Sequence, residues 1–351
     1  MVVGFVIGTA SLIFVGGEAG RDAWAAILGG IIEGALLCVP FLLLSTRFLG
    51  MGVSAINDRV WGNYVGKFFT LAFIGYTLLL SSTVVTNFFD FVQLVVLNGI
   101  PDYPLNIPTS IVLAIAALFG VEVLSLFMSI TVPLVIVFIV FVSLLSIPYI
   151  DLNNIRPILG TPLPKMLQII HNVATFPIAE VVAFSAILPC LSKPQKALKN
   201  TFTGISVAAF VLMFITVRNS GMLGDSTGYF AYPSFTSARV INVAGVFTRM
   251  ELIVSINLIL LSGIKAAILL YVASVTTVEM LKLKSLRTAV IPFSILIASI
   301  NHNNFPSVAH NFVYATKVYP LYALLFQFVL PLLTLVVAIV LKKSLNSKIS
   351  S

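Results

Sequence analysis

Long stretches without a charged side chain constrain this chain more than anything else in it. Between Glu122 and Asp151, and again between Lys317 and Lys342, no acidic or basic residue interrupts the apolar sequence. A bilayer core about 30 Å thick needs roughly 20 apolar residues in a helix rising about 1.5 Å per residue. Such stretches recur along all 351 residues, with short polar interruptions between them. An outer-membrane barrel would show short segments of alternating polarity instead. Composition agrees, with 59% hydrophobic and 9% charged residues and a mean hydropathy of +1.09. A soluble domain carries roughly 25% charged residues, because its surface must be hydrated. The sequence predicts an all-α integral membrane protein.

Ten spans are predicted, at about 1–17, 23–46, 64–89, 106–127, 129–148, 166–190, 200–219, 250–280, 288–303 and 318–342. They form one transmembrane domain over 1–345, with a short tail at 346–351. Twelve Lys and Arg residues, among them Arg47, Arg59, Lys196, Lys282 and Lys343, fall on one side, against seven on the other. That bias places both termini in the cytoplasm and accounts for the net charge of +8 without nucleic acid. No cleavable signal peptide is evident at the start, which lacks a basic leader. Cys38 and Cys190 read as small buried hydrophobes.

The spans divide five and five, as repeat one over about 1–148 and repeat two over about 166–343. An odd number per group inverts the second relative to the first, the plan of inverted-repeat transporters. Span one carries Gly8, Thr9, Ala10 and Ser11 in mid-run; its counterpart, span six, carries Thr175, Phe176 and Pro177. Interruptions at corresponding places point to a ligand site between two broken helices, whose free N–H groups suit the carboxylate of an amino acid. Pro177 fits the first turn of a new half-helix, Thr175 its cap, and Glu180 its positive end. Thr9 and Ser11 are the matching caps in span one.

Depth singles out three charges. Glu180 is 15 residues from Lys165 and 13 from Lys193, Glu33 is 11 from Asp22 and 14 from Arg47, and Lys265 is 16 from Arg249 and 17 from Lys282. At the midplane each costs about 2.5–3.5 kcal/mol even on a lenient scale, so each requires an interior partner. Glu180 and Lys265 are expected to meet. Thr83 and Asn87 on span three and Ser262 on span eight are candidate pocket walls, although such groups, like Thr86 and Asn257, also serve as glue between helices. His171 reads as a packed polar side chain, and His302 and His310 as part of an external loop. Nothing resembles a Walker loop, a zinc motif, a catalytic triad or a carboxylate pair, so neither enzyme chemistry nor a cofactor or metal is expected.

Several pieces in order carry a resemblance. They are Ile7-Gly8-Thr9, Glu18 to Trp24, Trp61-Gly62, Gly66-Lys67, the run Asp151-Leu152-Asn153-Asn154 through Gly160, Phe176-Pro177 with Glu180, Lys193-Pro194, Tyr232-Pro233, Lys265 and Tyr319-Pro320-Leu321. In this order the chain resembles the B-subunit family of spore germination receptors, within the amino acid–polyamine–organocation transporter superfamily. The resemblance implies a leucine-transporter-type fold, the inner spore membrane, partnership with A and C receptor subunits, and sensing of a small nutrient such as an amino acid. An amino-acid permease of the same superfamily is the alternative. The apolar sequence before Gly8 spans only about 10 Å of helix, short of half a bilayer. Either the natural protein begins upstream of Met1, the favoured reading, or its first half-helix is short.

Overall fold

The structure, a computed structural model, describes residues 1–10, 15–96, 103–156, 159–191, 193–242, 249–302 and 305–344. Within these residues the chain is helical, with no strand. The helices are α1 (Val2–Ala10), α2 (Ala23–Arg47), α3 (Val53–Trp61), α4 (Asn63–Phe91), α5 (Tyr103–Leu118) and α6 (Gly120–Ser146). There follow α7 (Leu163–Val173), α8 (Ala197–Leu223), α9 (Pro233–Val240), α10 (Glu251–Leu281), α11 (Arg287–His302) and α12 (Val308–Val340). Counting the short turns that extend them, seven helices are long and apolar enough to cross a membrane: Gly16–Arg47, Asn63–Val95, Gly120–Tyr149, Leu163–Ala186, Pro194–Tyr229, Glu251–Leu281 and Val308–Val340. Leu105–Leu118 and Arg287–Asn301 are shorter apolar helices.

The helix positions differ from the sequence reading in instructive places. The last helix begins at Val308, not near 318, so His310 lies in its first turn rather than in a loop. Ser307 starts it by accepting from the His310 N–H at 3.4 Å, the capping that lets an exposed helix end satisfy its free donors. The polar connections hide two helices, α3 and α9, too short and too polar for a hydropathy reading to find. Cys38 is buried as expected, but Cys190, at the end of a short 3-10 turn that closes span six, is exposed.

α10 is the central helix. It packs against α1, α4, α5, α6, α9 and α11, and buries Lys265 near its middle. The outer surface is apolar instead: Leu126, Ile130 and Val137 on α6, Phe210 on α8 and Leu321 and Val340 on α12 are largely exposed. Apolar residues outside and polar ones within is the arrangement lipid demands, since exposed backbone or charge finds no partner there. Buried hydroxyls comply locally. Thr77, Ser143 and Thr276 each donate to the carbonyl four residues earlier.

Close approach of α2 to span six fixes where the latter breaks. A Cβ on Gly34 would lie 2.6 Å from the Ile178 Cβ and 2.9 Å from the Ala174 oxygen, so only glycine admits this contact. Charges collect at the two ends. At one end Arg47 donates to the Lys343 carbonyl at 2.7 Å, Arg59 to that of Ser344 at 2.6 Å and Lys343 to that of Val60 at 3.1 Å. At the other end the Arg21 guanidinium grips the Asp225 carboxylate and donates to the Arg156 carbonyl.

Candidate functional site

Span six stops being an α-helix where the sequence reading placed its interruption. α7 ends at Val173, a wide turn covers Ala174–Ile178, and a tighter 3-10 segment runs over Ala179–Ala186. Phe176 has the extended dihedrals φ −132°, ψ 115°. Proline removes one N–H and obstructs the preceding turn, which is why the helix cannot run through it. Glu180 then occupies the first turn of the new segment and is fully buried.

Its carboxylate is held from both sides. The Lys265 ammonium pairs with Oε2, and the Tyr319 hydroxyl donates to Oε1 at 2.8 Å. Lys265 also donates to the Thr9 hydroxyl at 2.7 Å, and lies 4.7 Å from the Phe5 ring centre and 5.4 Å from that of Phe176. One side chain of the central helix therefore links α1 to the break in span six. Ring faces add attraction for the cation where no water is available to it. Beside this pair, Gln327 donates to the Tyr76 hydroxyl at 2.8 Å, to the Thr175 carbonyl at 2.9 Å and to the Tyr319 hydroxyl at 3.2 Å. The broken backbone thus finds a hydrogen-bond donor on α12, the condition for irregular backbone deep in a membrane protein.

Gly8 and Ser262 complete the contact with α10. Ser262 donates to the Gly8 carbonyl at 3.1 Å, and a Cβ on Gly8 would stand 3.0 Å from the Leu261 carbonyl oxygen. Thr9, Thr175, Glu180, Lys265 and Ser262 are entirely inaccessible, and Ala10, Phe176 and Pro177 are buried. These residues are closed off from solvent in this conformation.

Other expected residues make contacts of their own. The Thr175 hydroxyl bonds back to the carbonyls of His171 at 2.9 Å and Asn172 at 3.1 Å rather than capping the segment after it. Wide-turn geometry leaves the chain continuous there, so no free helix start is presented to it. Thr83 bonds back to Leu79 at 3.0 Å, and the Asn87 oxygen accepts from Asn311 at 2.7 Å. Glu33 does not join the central pair. It sits part-exposed on α2 and meets His171 Nδ1 at 2.6 Å, so His171 is an ion-pair partner rather than a lone packed polar. Ser11 lies outside the described residues.

Tyr76, Tyr319 and Gln327 were missed as site residues. Gln327 carried a signal: it is the one amide within the run 318–341, and a buried amide in lipid requires partners. The two tyrosines carried none, since tyrosine is equally at home at a membrane surface.

Comparison with known proteins gives the chain a lineage. The profile described as "Spore germination protein", a spore permease profile, matches residues 1–305. The chain belongs to the spore germination protein family. Spore germination protein KB of Bacillus subtilis (strain 168) is 23% identical over 348 residues, covering 98% of this chain and 93% of the relative. Spore germination protein YndE of the same organism is 20% identical over 268 residues, covering 76% of this chain and 73% of the relative. The match covers α1 through α11 and stops before α12, the helix that supplies Tyr319 and Gln327. The family is one of permease-type membrane proteins.

Proposed function

We propose that this chain is the nutrient-sensing subunit of a spore germination receptor, binding a small nutrient such as an amino acid between the breaks of spans one and six. The link from Thr9 through Lys265 to Glu180 carries this reading. It ties α1 and the break of span six to α10, so any ligand that parts them must exchange these contacts for its own. The candidate contacts are Gly8, Thr9, Ala10, Ser11, Thr175, Phe176, Pro177 and Ser262, with Thr83 and Asn87 on the further wall and Glu180 and Lys265 as the coupling pair.

On this reading the seven long helices, the two shorter apolar helices and α1 make ten spans in two inverted repeats of five, a leucine-transporter-type plan. The receptor sits in the inner spore membrane with both termini in the cytoplasm, and works with A and C subunits. The family description and the permease-like closure of the site support this. Gly8→Leu drives a side chain into the Leu261 carbonyl. Spores carrying it are expected to lose the germination response to nutrients at near-normal protein level; an unchanged dose–response would remove the pocket from this place. Uptake of labelled amino acids by proteoliposomes holding this chain alone would favour the permease alternative. A response that requires co-expressed partner subunits would favour the receptor.

A further inference from the structure

Arg218, near the end of α8, is 4% exposed, and among the described residues no carboxylate forms an ion pair with it. It donates to the Asn219 Oδ1 from Nε at 3.2 Å and from Nη2 at 2.8 Å, and to the Ser143 hydroxyl at 3.3 Å. A guanidinium has five N–H groups and cannot shed its charge, so neutral oxygens satisfy part of it and neutralise none of it. A buried cation without a counter-charge is among the costliest groups a protein can hold.

Beside it lies a cavity of about 30 Å³ bounded by Ile7, Val135, Leu258 and Leu261. Only three polar side chains line it: Arg218, Ser234 and Asn257. Ser234, on α9, accepts from the Asn219 amide at 3.0 Å, which leaves its own hydroxyl proton to give. Asn257, 6% exposed, has an amide oxygen with no hydrogen-bond partner. Oxygen and nitrogen of such an amide are distinguished by their partners alone, and turning it over would present two more N–H groups to the cavity.

We propose that this cavity binds one small monovalent anion of chloride size. The guanidinium of Arg218, the hydroxyl of Ser234 and the turned amide of Asn257 donate to it, and the ion supplies the charge that Arg218 lacks. The space has room for a small ion and a water, and none for a nutrient the size of an amino acid, so this site is separate from the nutrient pocket. It nonetheless abuts that pocket: Ile7 precedes Gly8, and Leu261 is the residue whose carbonyl packs against Gly8. Anion binding here fastens α8, α9 and α10 together against the apolar flank of α1 and α6.

The test is thermal unfolding of the purified full-length chain in detergent as chloride replaces gluconate at constant ionic strength. Wild type should melt at rising temperature with chloride, and with bromide. Arg218→Gln should abolish the rise. Because that variant risks poor folding, Asn257→Asp is the second arm. A carboxylate in the cavity substitutes for the ion, so this variant should fold and melt at one temperature in both salts. Equal melting of wild type in chloride and gluconate would overturn the proposal. So would an undiminished chloride effect in either variant.

Discussion

Glu180–Lys265 and Arg21–Asp225 are both acid–base pairs between distant parts of the chain, placed in opposite surroundings. The first pair has no exposed side-chain surface, whereas Arg21 is 35% and Asp225 66% exposed. Water solvates either partner of the outer pair once the other is removed. It reaches neither partner of the inner pair, and each of those is therefore held by further groups: Thr9 on the lysine, Tyr319 on the acid. Pairing a carboxylate with a cation gives a structural keystone in one place and a surface contact in the other. Desolvation decides which, because it sets what the unpaired state costs.

The largest effect that tests this contrast is Glu180→Gln. It strands a buried ammonium, and losses on breaking such pairs run about 3–5 kcal/mol. The double change with Lys265→Met removes both charges and should recover much of the loss. Melting temperature and detergent-extracted yield read it out. A double variant no better than the single would mean that the pair is not coupled. Tyr319→Phe comes next. It deletes a hydrogen bond to a charged group, worth about 1.5–3 kcal/mol, and leaves the ion pair standing. Its effect should largely vanish in the Glu180→Gln, Lys265→Met background; an additive loss would assign the hydroxyl's worth to its bonds with Gln327 and Tyr76 instead.

Asp22 sharpens the comparison from the outer end. It lies one residue from Arg21, yet it is 3% exposed and accepts from the Leu159 N–H at 2.6 Å and the Thr161 N–H at 2.7 Å. Among the described residues no cation pairs with it; its partners are backbone donors of the segment leading into α7. Asp22→Asn replaces one acceptor oxygen by a donor facing an N–H, at a cost of about 1–3 kcal/mol. Hydrogen exchange at Leu159 and Thr161 should accelerate in this variant. Unchanged protection would show that the carboxylate does not hold the loop.

The sequence made the central pair legible because its signals were costs. A carboxylate, an ammonium and a proline in mid-run are each too expensive to leave unexplained, so depth alone brought Glu180, Lys265 and the break at Pro177 to one site. Glu33 broke the same rule. Its distance from the loop residues was similar, but it faces a partly exposed flank of α2 and finds His171. Distance along a helix gives depth and not direction. Tyr76 on α4 and the pair Tyr319 and Gln327 on α12 come from opposite ends of the chain, and nothing short of the packed fold says that they converge. The helix α9 escaped for a related reason: eight residues with four hydroxyl-bearing or charged side chains look like any loop.

Asp225→Asn should have the smallest effect of the four. The pair it dissolves joins the segment before α2 to the turn after α8, and the Arg21 guanidinium keeps its bond to the Arg156 carbonyl without it. At physiological salt, charges in water are screened over about 8 Å, and exposed pairs contribute little because both partners are well hydrated alone. Melting temperature should therefore be unchanged within error at that ionic strength. At low salt a small drop should emerge, and it should disappear again as sodium chloride is added. A loss as large as that of Asp22→Asn, and indifferent to salt, would break the comparison. It would mean that this end of the molecule is dry in the membrane and that Arg21–Asp225 belongs with the buried pair, as a second lock across the path to the site.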